Sequence, residues 1–221
     1  MFLKTSGATL AGMGLLFACK DDDDIRLPDD VFDLGTGDLG VLNYAYALEQ
    51  LEADFYTRVL DGSYYAGANA SEKKLFLDLY NHEVNHREFL SAAISAAVGS
   101  DTGKKLPMLE FDYGNLDFNS RDQVIATAKT LEDTGVGAYN GAGSLLSDVN
   151  NLLVAGKIVS VEARHASAIR SLLNPNSADF AGNDVVTVDN ALDVALLPSE
   201  VIAAVTSLGF IKTPFTANNL P

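Results

Sequence analysis

Four stretches of this chain carry apolar residues at helical spacing, and each has a glutamate in the middle of its apolar stripe: Glu49, Glu83, Glu132 and Glu162. A stripe recurring at 100° per residue is the face a helix turns toward a core. From Asp38 to about Leu60, the residues Leu42, Ala45, Glu49, Tyr56 and Leu60 share one such line. The second stretch opens at Ser71 and runs to Val98, with Phe76, Leu79, Glu83, His86, Leu90 and Ile94 on its stripe. The third follows a cap at Ser120 and carries Ile125, Ala128, Glu132, Val136, Tyr139 and Leu146. The fourth, about Asn150 to Leu173, carries Ile158, Glu162, His165, Ala166 and Ile169. A carboxylate on a core face is costly unless it is paired, hydrogen-bonded or bound to a cation. Four of them converging on one interior repel each other unless positive charge lies among them. The pattern therefore predicts an all-α bundle whose centre is polar by design.

Chain punctuation gives the connections. Gly62, Gly99 and Asn174-Pro175-Asn176 close helices one, two and four. Between helices two and three lies a crossover of about twenty residues containing Gly103, Pro107 and Gly114, long enough to span a bundle from end to end. Residues 38–174 are thus expected to be the bundle and 175–221 an extension packing on it. That extension has one short helix, Pro198 to Leu208 before Gly209, and no chemistry is assigned to it. Gly135, Gly137, Gly141 and Gly143 sit within the third helix, where each costs about 1 kcal/mol relative to alanine. Their expected use is close approach of a neighbouring backbone; the alternative is a break in the helix.

Two of the four glutamates are followed three residues later by histidine, in Glu83-Val84-Asn85-His86 and Glu162-Ala163-Arg164-His165. That spacing puts both side chains on one helix face within reach of a shared ion. With three histidines and nine glutamates in the chain, two such coincidences have a chance on the order of one in several hundred. A faint duplication accompanies them. Glu49 precedes Tyr56 by seven residues and Glu132 precedes Tyr139 by seven, and each of these helices is followed by a Glu-x-x-His helix. Two similar helix pairs joined by a long crossover would generate a pseudo-symmetric site for two metal ions.

The order Glu, Glu-x-x-His, Glu, Glu-x-x-His resembles the ligand arrangement of ferritin-like di-iron and di-manganese carboxylate bundles. The segments Leu42 to Tyr56, His82 to Phe89 and Val161 to His165 carry the likeness, which is strongest to the exported ferritin-like branch related to plant desiccation-associated proteins. The resemblance implies a ferritin-like four-helix bundle binding two metal ions, iron first, with manganese or zinc also compatible with oxygen and imidazole ligands. It implies Glu83 and Glu162 as bridging carboxylates, His86 and His165 as nitrogen ligands, and Glu49 and Glu132 as terminal carboxylates. Glu52, one turn from Glu49, is the rival for that position. Tyr56 and Tyr139 are expected to hydrogen-bond the ligands rather than act as redox partners. The implied activity is oxidation of Fe(II) by oxygen or peroxide in a stress-protective role. Two other readings stay open: a bundle without turnover serving as an interaction module, and a zinc metalloprotease using His82-Glu83-Val84-Asn85-His86 as a His-Glu-x-x-His motif.

The N-terminal residues imply export. Ser6 to Ala18 are small or apolar and uncharged, preceded by Lys4 and followed by Cys19, the only cysteine. Leu16-Phe17-Ala18-Cys19 resembles a bacterial lipobox, so residues 1–18 are expected to be a signal peptide and Cys19 the acylated first residue of an envelope lipoprotein. Residues 19–37, with Lys20-Asp21-Asp22-Asp23-Asp24, then read as an acidic tether. A lipid membrane is the expected partner, and a homodimer is allowed. The formal net charge of −15 repels nucleic acid and attracts cations.

Overall fold

The computed structural model describes residues 31–221. The signal segment, Cys19 and the acidic run after it lie outside the described residues.

Four long helices form an antiparallel bundle: α1 (Gly37–Asp61), α3 (Ala70–Val98), α4 (Arg121–Gly143) and α5 (Val149–Leu173). Helix α1 pairs with α3 and α4 with α5, while contacts between α1 and α4 join the two pairs. A short α2 (Ser63–Gly67) fills the first turn, and α6 (Pro198–Leu208) lies in the extension. Local chemistry starts each helix. The Asn69 side chain accepts from the Ser71 and Glu72 amides, which moves the cap of α3 two residues ahead of the expected Ser71. Ser120 caps α4 as expected, through the Gln123 amide, and Asp148 caps α5. Helix α6 begins on Pro198 and ends at Gly209, whose φ of 69° is left-handed.

Helix α1 is buried on nearly every side rather than along one stripe, because the crossover and the chain ends wrap it. Two buried amides on its outer faces hold the crossover in place. Asn43 donates to the carbonyls of Leu34 and Lys104 and accepts from the Leu106 amide. Gln50 donates to the Pro107 carbonyl and accepts from the Leu109 amide. Each amide thereby satisfies backbone groups that an apolar residue would leave orphaned. Phe32–Asp33, within the stretch read as tether, pairs in parallel with Phe215–Thr216 and ties the extension to the start of the bundle.

Helix α4 continues unbroken through its glycines to Gly143, so Leu146 falls beyond its end rather than on its stripe. At Gly137 and Gly141 the close approach comes from the extension, not from another bundle helix. A Cβ at Gly141 would collide with the Leu196 carbonyl oxygen, and one at Gly137 would lie 2.8 Å from a Leu196 methyl. The Leu196 amide also donates to the Gly137 carbonyl at 2.9 Å. Among the described residues no helix is long and apolar enough to cross a membrane.

Candidate metal centre

Glu49 on α1, Glu83 on α3, Glu132 on α4 and Glu162 on α5 are each 0% exposed and meet at the centre of the bundle. His86 and His165 enter the same space, one helical turn beyond Glu83 and Glu162. Their Nδ1 atoms both face the carboxylates. The His86 Nδ1 lies 3.0 Å from Glu162 Oε1, 3.3 Å from Glu83 Oε2 and 3.4 Å from Glu49 Oε2. The His165 Nδ1 lies 2.8 Å from Glu83 Oε1, 3.3 Å from Glu132 Oε2 and 3.8 Å from Glu162 Oε2. Glu83 and Glu162 thus each divide their two oxygens between the two histidines. Two sets of donor atoms result, Glu49, Glu83, His86, Glu162 and Glu83, Glu132, Glu162, His165, each gathered within 4.8 Å.

Glu49 and Glu132 each have one oxygen committed elsewhere. The Tyr139 hydroxyl donates to Glu49 Oε1, and the Tyr56 hydroxyl donates to Glu132 Oε1. The tyrosine of α1 therefore serves the glutamate of α4, and the reverse. This crossing is what equal spacings of seven give when α1 and α4 run antiparallel: as the chain climbs from Glu49 to Tyr56, its neighbour descends from Tyr139 to Glu132.

A family model described as a ferritin-like domain matches residues 37–175. The chain belongs to the ferritin-like family. Among curated proteins, none matches it. The matched span begins and ends with the four-helix bundle, so the family assignment covers the cage and leaves out the extension.

The donor set fits metal ions on grounds internal to this bundle. Glu49 Oε2, Glu83 Oε1, Glu132 Oε2, both oxygens of Glu162 and His165 Nδ1 are buried without a hydrogen-bond partner. Buried polar atoms are rarely left so, and here the orphans all face one another. Charge points the same way. Burial, then the neighbouring Glu162, pushes the Glu83 carboxyl well above its ordinary range, and burial raises Glu132. Burial opposes ionisation of Glu162 too, yet His165 and His86 on its two oxygens hold it down at about 2. Burial would lower His86, but Glu162, Glu49 and Glu83 around it push it up to about 12, and His165 is raised in the same way. Without metal, protons supply the positive charge that four carboxylates require. Divalent cations would replace those protons, so binding releases them.

Glu52 is buried beside the cage but belongs to neither donor set, whereas Glu49 belongs to one. Its Oε1 would lie 3.1 Å from a Cβ at Gly135, and that same Cβ would lie 3.5 Å from Glu162 Oε2, so Gly135 leaves room for both carboxyl groups. Burial, then repulsion from Glu162, Glu83, Glu132 and Glu49, pushes the Glu52 carboxyl well above its ordinary range.

His82 is exposed at the rim of the cage, and its Nδ1 meets His165 Nε2 at 2.8 Å with the rings stacked 5.1 Å apart. That contact holds His165 with Nδ1 turned inward. It also separates the two histidines of the His-Glu-x-x-His motif. A protease of that kind needs both on one ion with the glutamate free, but Glu83 lies in both donor sets and His82 in neither. The His82–His165 contact and the crossed tyrosines join residues dozens of positions apart. Only the equal spacing of seven carried a sequence signal for either.

Proposed function

We propose that this chain binds two iron ions and oxidises Fe(II) with oxygen or peroxide. The observation that carries the reading is the division of oxygens: Glu83 and Glu162 each present one oxygen to the His86 side and one to the His165 side. Glu83 and Glu162 would each help to hold both ions, His86 with Glu49 would complete one ion's ligands, and His165 with Glu132 the other's. Four carboxylates balance two divalent cations, leaving the histidines neutral and the interior uncharged. Tyr139 and Tyr56 occupy the outer oxygens of Glu49 and Glu132 and fix which oxygen faces the ion. The zero exposure of all four glutamates keeps bulk solvent off the carboxylates and strengthens the electrostatic interactions among them. Bound iron supplies one electron per ion for reduction of oxygen or peroxide.

The test is to load the chain anaerobically with Fe(II), mix it with oxygen or with peroxide, and follow ferric absorbance. Oxidation faster than that of free Fe(II), lost in Glu162→Ala, is the expected result. Stoichiometric binding with no acceleration by either oxidant would instead make the bundle a non-catalytic module. The same reading includes export to a bacterial envelope, acylation of Cys19 and a stress-protective role. It is supported by Leu16-Phe17-Ala18-Cys19 and the acidic run that follows. Intact mass of membrane-fraction protein should show an acylated Cys19 terminus; a soluble chain with a free Cys19 thiol would contradict anchoring.

A further inference from the structure

A small cavity lies beyond the His86 end of the cage. One helical turn from three of the cage residues stand Ala45 before Glu49 on α1, Leu90 after His86 on α3 and Ile158 before Glu162 on α5. All three line this cavity, together with Tyr139, whose hydroxyl donates to Glu49. The inner end of the cavity is therefore one turn from the His86 half of the cage, with the Tyr139 ring between it and Glu49. Ala93 of α3 and Ala155 of α5, both half-buried, line it too, and Phe89, 47% exposed, marks its mouth.

Size and lining limit what can occupy it. The accessible space is about 50 Å³, well below the roughly 150 Å³ of an apolar cavity that admits benzene. It suits one diatomic molecule or one xenon atom. No charged residue lines it, and its only amide, Asn151, has its nitrogen donating to Asp38. Iron ions are excluded, because an unpaired charge in such a lining is strongly disfavoured. Water and hydrogen peroxide fare little better. A trapped water needs two to four polar partners, and peroxide brings two hydroxyls that would go unpaired. An apolar diatomic gives up no hydrogen bonds on entry and gains an apolar surrounding.

We infer that this cavity is a holding site through which dioxygen reaches the Glu49 and His86 side of the cage. The route serves dioxygen and not peroxide, so it names the oxidant of the reaction proposed above, on which the delivery role rests. The cavity itself does not depend on metal. Tyr139 thereby does two things: its hydroxyl fixes Glu49, and its ring walls the gas site off from the carboxylates.

The test joins xenon binding by the metal-free chain to oxidation kinetics of the chain loaded with Fe(II). The parent should shift the resonance of dissolved xenon saturably. Ala155→Leu and Ala93→Leu, which fill the cavity from half-buried positions on two different helices, should abolish that shift while still melting cooperatively. In both variants the dioxygen concentration giving half-maximal rate should rise about fivefold or more, with the maximal rate within about twofold of the parent's. Oxidation by peroxide should keep the parent rate. No saturable xenon shift from the parent, or an unchanged dioxygen dependence in the filled variants, would overturn the assignment. So would an equal slowing of the peroxide reaction, which would mark a general disturbance of the bundle. Xenon binding by a parent chain that oxidises Fe(II) with neither oxidant would overturn the reaction itself, and the delivery role with it.

Discussion

The two halves of the cage use the same residue types and differ in what stands behind each histidine. His165 has its Nε2 held by His82 and keeps 6% of its side chain exposed. His86 has 12% exposed, and among the described residues no hydrogen bond holds its Nε2. A metal-binding histidine whose second nitrogen is bonded is fixed in orientation and is a better ligand. The cage thus combines a matched pair of donor sets with an unmatched pair of supports. The His165 half should bind its ion more tightly, and the His86 half should be the one that exchanges.

The largest effect should come from the residues the halves share. Glu83→Ala or Glu162→Ala should lose both ions. Each ion at a hundred times its dissociation constant stabilises the fold by about 2.7 kcal/mol, so two ions together raise the melting temperature of a chain of this size by about 10–20 °C. That rise should vanish in both variants and in Glu49→Ala should fall by about half. Glu52→Ala should keep most of it. Anaerobic melting with and without Fe(II) checks the series, and loss of the shift in Glu52→Ala but not Glu49→Ala would exchange their roles.

Next in size, the halves should separate. His86→Ala and His165→Ala should each retain one ion, with the retained ion held more tightly in His86→Ala. His82→Ala should weaken one of two binding steps about 10–100-fold and leave the other. Titration of Mn(II) followed by its resonance signal reads both steps; equal weakening of the two would erase the proposed asymmetry.

A pH dependence follows from the raised groups. In the metal-free chain His86, ordinarily near 6.5, is raised to about 12, and Glu83 is also raised. Between the ordinary and raised values the folded state holds more protons than the unfolded one, so stability falls as pH rises. The stability His86 contributes is full below about pH 6.5 and is lost toward pH 12. Glu162, lowered to about 2, acts oppositely and only below its ordinary 4.5. Metal-free protein should therefore melt lower at pH 9 than at pH 6, while metal affinity rises over the same interval because binding releases protons.

The smallest effects should be crossed. Tyr56→Phe should weaken the His165 half through Glu132, and Tyr139→Phe the His86 half through Glu49, each by at most about 1.5–3 kcal/mol for one hydrogen bond to a charged group. The same Mn(II) titration checks this, and uncrossed effects would contradict the antiparallel pairing.

The six cage residues were legible in the sequence because each lies at the centre of a helical stripe, and periodicity reports that directly. The supports were not, because they depend on register between distant segments. Nothing local to His82 says that it meets His165, and nothing local to Asn43 or Gln50 says that they fasten the crossover. The glycines of α4 announced a close approach, but only the fold shows that Leu196 of the extension makes it. Periodicity also described α1 as having one buried face, when the crossover covers the others.

The central claim is that Glu83 and Glu162 hold two ions between them. Elemental analysis of the chain purified from its native compartment, beside Glu83→Ala and Glu162→Ala prepared identically, tests it most directly. The account predicts about two metal ions per chain, iron foremost, and close to none in either variant. A single zinc per chain, or two ions retained when either glutamate is removed, would contradict it.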